Sequence, residues 1–144
     1  MRLLFLYSSL LAILQFMACM TLPHDHPQFK SSAEAEAYLK EHKACPGCDL
    51  RRAELSYTDL RGADLRGANL KGADFTRADL RGANLKGAIL VRADLSTAPK
   101  LEGADLRDTD LTEANILASE LALAQTCGSI LPDGHRSNPC SDKN

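Results

Sequence analysis

Residues 63–72 read Ala63-Asp64-Leu65-Arg66-Gly67-Ala68-Asn69-Leu70-Lys71-Gly72, two passes through one five-residue unit. Outward from this stretch, an apolar centre recurs at Leu50, Leu55, Leu60, Leu65, Leu70, Phe75, Leu80, Leu85, Leu90 and Leu95. One residue is inserted within Ser96-Thr97-Ala98-Pro99-Lys100, and the series resumes at Leu101, Leu106, Leu111, Ile116 and Leu121, giving fifteen units. A small residue, usually Ala, stands two positions before each centre, with Asp or Asn usually between them. Gly often closes the unit, as at Gly62, Gly67 and Gly82.

A period of five suits neither standard element. On a helix each successive centre would rotate by about 140°, so no apolar stripe would form. On a straight strand an odd period would send successive centres to opposite faces. The chain must therefore turn within every unit while Leu and Ala point inward. Gly at the unit's end fits a turn that needs an unusual backbone angle. At Ser96 to Lys100 the extra residue predicts a bulge, with Pro99 in an Ala slot and unable to donate to a ladder.

These runs resemble the pentapeptide-repeat family, whose unit is A-(D/N)-L-x-x. The resemblance implies an all-β fold, a right-handed quadrilateral β-helix with four units per coil. Fifteen units then make nearly four coils, about 18 Å tall at a ~4.8 Å strand spacing. Sequence periodicity alone does not show the four; residues 63–77 and 78–92 agree at 12 of 15 positions, a copy three units long.

Open solenoid ends need covers. Ser31-Ser32-Ala33-Glu34 is a capping-box pattern opening a short N-terminal capping helix, with Ala35, Tyr38 and Leu39 placed to sit on the first coil. The expected organisation is a signal over residues 1–19, a tether over 20–30, the helix over 31–44, the β-helix over 45–124, and a closing loop and tail over 125–144.

The first segment reads as an export device. Arg2 supplies a positive start, and Leu3 to Phe16 is apolar apart from Tyr7, Ser8, Ser9 and Gln15. An uncleaved anchor is the alternative, since Leu3 to Leu22 is just long enough to span a bilayer. Phe16-Met17-Ala18-Cys19 resembles a bacterial lipobox, with Phe16 and Met17 departing from its pattern, so Cys19 is the lipidation candidate. The expected location is the periplasm or outer membrane as a lipoprotein, or outside the cell.

With Cys19 set aside, Cys45, Cys48, Cys127 and Cys140 remain, an even number that in an oxidising compartment suggests two disulfides with three connectivities. On the fold that the resemblance implies, one cysteine pair lies at each end. That favours Cys45 with Cys48 and Cys127 with Cys140, and argues against a four-Cys zinc site. Cys45-Pro46-Gly47-Cys48 has no βαβ context for a redox enzyme, although its two thiols could remain free and buried.

Nothing points to catalysis or a cofactor. His24-Asp25-His26 could hold a metal weakly, but reads better as a solvated tether. On the four-unit coil that the resemblance implies, Arg61 stacks with Arg81, and Arg66 with Lys86 and Arg107, flanked by aspartates; this is a basic strip or, preferably, a self-neutralised face. The whole chain carries 17 Lys and Arg against 19 Asp and Glu, so its net charge signals no nucleic-acid binding. Two function classes stand. One is a non-enzymatic exported scaffold for an unnamed protein partner, touching membrane only through a lipid or signal anchor. The alternative is a DNA-mimicking, topoisomerase-protecting protein, which the export signal and a net charge of −2 over Asp49 to Leu121 oppose.

Overall fold

Most of the described five-residue units close with a tight turn whose chemistry accounts for their composition. In the computed structural model, which describes residues 28–97 and 100–140, the centre's carbonyl accepts a hydrogen bond from the N–H three residues on, as for Leu60 and Ala63 at 3.0 Å. The residue before that donor sits in the left-handed region, with Gly62 at φ +65° and Gly67 at φ +63°. This is the φ > 0 requirement of a type II turn's third residue. Meanwhile the Asp or Asn of the unit accepts from the N–H two residues on, as Asp59 does from Arg61 at 3.1 Å and Asn84 from Lys86 at 3.1 Å. Ala, Asp or Asn, Leu and Gly thus each answer one local demand.

Where Gly is missing, another residue bears the same angle: Arg52, Tyr57, Arg77, Arg92, Asp108 and Glu113 lie at φ +57° to +58°. Placing an ordinary L-residue there costs about 1–2 kcal/mol. Gly67→Ala should therefore destabilise by about that amount, because its added Cβ would meet nothing within 4 Å and only the backbone angle opposes it. Urea melts read this directly; an unchanged midpoint would mean that the turn is assigned wrongly.

Stacked turns make a four-sided coil. Parallel bridges run in four columns: Ala44–Asp64–Asn84–Asp105–Gln125, Asp49–Asn69–Ile89–Asp110–Ile130, Glu54–Asp74–Asp94–Asn115, and Asp59–Asp79–Lys100. The spacing within a column is 20 residues, and it becomes 21 in every column as the chain passes Lys100. That step locates the inserted residue between Leu95 and Lys100, while Ala98 and Pro99 themselves lie outside the described residues. Regular strand is confined to β1 (Asp94–Leu95) and β2 (Asn115–Ile116), which pair in parallel. Elsewhere each side is a single bridge flanked by turns, since five residues leave room for little more.

The interior is a stack of apolar rungs. From Leu50 to Leu111 the thirteen ladder centres are at most 3% exposed, and the Ala slots between them are closed as tightly. Ile116 and Leu121 are only partly buried, though both pack on the core. Two polar residues occupy small-residue slots near the end: Thr109 donates to the Leu106 carbonyl at 2.7 Å, and Ser129 to the same oxygen.

Helix α1 (Ser32–His42) lies over the first coil, burying Ala35 and Leu39 completely and Tyr38 in part. Ser31 accepts from the Glu34 N–H at 3.3 Å, and Glu34 reaches back to the Lys30 N–H at 2.9 Å. The helix also satisfies the coil's free edge: Glu36 accepts from the Glu54 N–H at 3.0 Å, and Lys40 donates to the Glu54 carbonyl at 2.8 Å. An open edge otherwise offers unpaired backbone groups to other chains.

At the far end the expected boundary at residue 124 does not hold. A short helix α2 (Ala118–Leu121) replaces one side, and the coil then resumes, with Gln125 bridged to Asp105 and Ile130 to Asp110. Residues 128–131 are then covered by a returning segment. Ser137 donates to the Ser129 carbonyl at 2.8 Å, and Gly128 to the Asn138 carbonyl at 2.9 Å. The physical reason is register: Leu121, Thr126 and Leu131 keep the five-residue spacing even after the units lose their Asp.

Candidate functional site

With the interior filled, chemistry is confined to the outer faces and the two ends. The faces are governed by a short local device. In Asp49-Leu50-Arg51, Asp59-Leu60-Arg61, Asp64-Leu65-Arg66, Asp79-Leu80-Arg81 and Asp105-Leu106-Arg107, the guanidinium folds back on the aspartate two residues earlier. Both contacts are hydrogen bonds, with Nε to Oδ1 at 2.8–2.9 Å and Nη2 to Oδ2 at 2.6–2.8 Å. The same carboxylates also hold the turn N–H, so each Asp serves the backbone and the arginine together.

The rows read from the sequence stack as expected, Arg61 with Arg81 and Arg66 with Lys86 and Arg107. They are not a free basic strip, since every arginine in them is forked to its own aspartate. Further pairs reach beyond one unit: Lys43, which ends α1, pairs with Asp59 of the first coil at 3.0 Å, and Arg92 with Glu113 of the next coil at 2.6 Å. Arg77 lies 5.4 Å from the Tyr57 ring centre and donates to its hydroxyl at 3.1 Å.

These forks set an acid limit. The arginine hydrogen bond holds Asp49, Asp79 and Asp105 below the usual carboxylate range; Asp59 is lowered by Arg61 first and Lys43 second. A carboxylate with a lowered folded pKa stabilises the fold above its unfolded value, near 3.9, and that contribution is lost as pH falls through the folded value. Thermal midpoints should therefore stay level from pH 7 to 5 and decline below about pH 4. A decline beginning near pH 6 would assign acid sensitivity to other groups.

At the ends, Cys45 and Cys48 form one disulfide with Cα atoms 5.5 Å apart, and Cys127 and Cys140 form the other at 4.9 Å. Cys45 is fully buried and Cys48 is 6% exposed, in a centre slot and a small-residue slot respectively. No group of His, Cys, Asp and Glu among the described residues could hold a metal ion. Cys19 and His24-Asp25-His26 lie outside the described residues. Among the described residues, no helix is long and apolar enough to cross a membrane.

Two features escaped the sequence reading. The returning coil after α2 was signalled by Gly128 and by the continued spacing at Thr126 and Leu131. A second basic corner, at Arg52 and Lys71, was signalled by Asn69 and Ile89 standing where other units carry an acid.

Comparison with curated proteins gives no match. Among solved structures the chain is similar to a pentapeptide repeat protein from the Arabidopsis thaliana thylakoid lumen, 26% identical over 81% of this chain and 76% of that one, with a TM-score of 0.44. It is also similar to HetL, a pentapeptide repeat protein involved in heterocyst differentiation regulation from the cyanobacterium Nostoc. That likeness is 38% identity over 64% of this chain and 40% of HetL, with a TM-score of 0.34. A pentapeptide repeat protein from the cyanobacterium Cyanothece is 20% identical over 75% of this chain and all of that one, with a TM-score of 0.25. The family model for pentapeptide repeats (8 copies) matches residues 45–72, 58–96 and 88–121. These overlapping matches span 45–121, more than half of the 144 residues and the same units whose turns and ladders are described above. The chain belongs to the pentapeptide repeat family.

Proposed function

We propose that this protein is a non-enzymatic, exported scaffold, a right-handed quadrilateral β-helix capped by α1 that presents its faces to a protein partner in the cell envelope or outside the cell. Pentapeptide repeat proteins are generally non-enzymatic structural or interaction proteins. The observation that carries the exported reading is the pair of disulfides, one at each end of the coil. Such bonds persist in oxidising compartments and are rare in the cytosol. Inward positions taken by Leu and Ala leave the coil no interior room for a substrate, which supports the non-enzymatic reading. Five aspartates tied to arginines weigh against the DNA-mimicking alternative, because their charge is answered within each unit.

Fractionation of expressing bacteria, with thiols blocked at lysis, tests this reading. The expected product is outside the cytosol, with oxidised Cys127 and Cys140, and carries either diacylglyceryl-Cys19 or a free N-terminus beyond it. A full-length cytosolic product with all five thiols free would sink the export reading. If that product protected a topoisomerase against its inhibitors, the alternative would be established.

A further inference from the structure

Along one corner of the coil the fork device operates only at the first rung, Asp49 with Arg51. In the second column the acid positions run Asp49, Asn69, Ile89, Asp110 and Ile130. Asn69 still accepts the Lys71 N–H, at 3.3 Å, but it brings no charge to the Lys71 ammonium. One residue further on, the Gly slots of this corner hold Arg52, Gly72 and Arg92 in successive coils. Arg52 and Arg92 adopt φ +58° and +57°, the costly angle that Gly takes elsewhere.

Together these residues line a surface cleft whose walls are Ser32, Arg51, Arg52, Lys71, Gly72 and Arg92. Four cations lie on it, and no carboxylate lines it. Asp49 answers Arg51 at 2.6 Å, and Glu113 answers Arg92 at 2.6 Å and also faces Lys71 electrostatically. The set with these two partners keeps a formal charge of +2. Among the described residues, the side chains of Arg52 and Lys71 make no hydrogen bond or ion pair. Gly72 leaves the floor open, and the Arg52 stem runs beside it, with its γ carbon 3.8 Å from where a Cβ would stand. Ser32 adds the first turn of α1, whose early N–H groups form the positive end of a helix, with Glu34 in the same turn as a partial counterweight.

We propose that this corner binds a polyanion bearing phosphate or sulfate groups. Guanidinium forks and a lysine ammonium are the donors that suit such oxygens. Arg52 and Arg92 stand two coils apart, about 10 Å at the usual strand spacing, with Lys71 in the coil between. That suits a ligand with two or more anionic groups rather than a single one. The same chemistry is offered by a soluble oligophosphate and by the headgroups of an anionic lipid surface.

The test uses the full, oxidised chain. Amide NMR titration with tripolyphosphate, against sodium chloride at matched ionic strength, should shift residues 51–53, 71–73 and 91–93. Arg52→Gln/Lys71→Gln should weaken binding by about 10-fold or more, as expected for losing two charge-assisted contacts. The control Arg61→Gln/Arg81→Gln should stay within about twofold, because those guanidiniums are committed to their own aspartates. Retained melting midpoints show that each variant is folded, and Lys71→Gln alone gives a milder second reading. Co-sedimentation with phosphatidylglycerol vesicles against phosphatidylcholine vesicles separates the sources: variant-sensitive binding to the former identifies a headgroup, and tripolyphosphate binding alone identifies a soluble ligand. Equal losses in the variant and the control, or no binding in either arm, would overturn the proposal.

Discussion

Leu80→Ala is expected to lower stability by about 2–5 kcal/mol, in the upper half of that range. The side chain is 1% exposed and stands between Leu60 below and Leu101 above. Its surroundings cannot close over the lost methyl groups, because the backbone on both sides is held by coil-to-coil bonds. Leu80 donates to Lys100 at 2.9 Å, Gly82 to Glu102 at 3.1 Å, and Lys100 to Ala78 at 3.1 Å. A cavity that cannot collapse carries both the transfer loss and the void. The neighbouring Arg81→Ala removes a fork to Asp79 that is partly solvated, so its loss should lie within about 1 kcal/mol. Urea unfolding of the two variants provides the comparison. Equal losses would mean that the inward and outward registers have been exchanged.

Replacing Cys127 and Cys140 together by Ser should cost about 3 kcal/mol, the chain-entropy value for a 14-residue loop. The effect should also be local. The bridge holds the returning segment against residues 128–131, and a solenoid's units contact only their neighbours. Hydrogen exchange should therefore quicken first at Leu111, Gln125 and Ile130, while amides such as Leu65 and Leu70 keep their protection. Cys45→Ala/Cys48→Ala opens a ring of only four residues, for which the same relation gives about 2 kcal/mol. Ala suits those sites because Cys45 has no exposed surface to hydrate a hydroxyl. Peptide mapping without reductant should recover the linked 127–140 pair. A peptide joining Cys45 or Cys48 to Cys127 or Cys140 would overturn the pairing and the coil with it, since disulfide geometry needs Cα atoms within about 7 Å.

The five-residue turn and its inward residues were legible in the sequence because each demand is met within a few bonds. Asp59 reaches its turn N–H two residues on, Leu60 closes its turn three residues on, and Gly62 supplies the angle on the spot. Such chemistry repeats visibly whenever the unit repeats. The number of sides was not legible in this way, because closure depends on summing four corners and appears only as partners 20 residues apart. The same distance hid the bonds from Glu36 and Lys40 to Glu54, which lie 18 and 14 residues away. It also hid the return of the coil at Gln125 and Ile130, where contacts to Asp105 and Asp110 hold the register after the motif has faded. The fork itself is local, since Arg61 folds onto Asp59 two residues earlier while Arg52 stands in a Gly slot beside Arg51, which has taken the only aspartate of its unit. That Arg52, Lys71 and Arg92 meet on one cleft was a tertiary decision, because it joins residues about 20 apart.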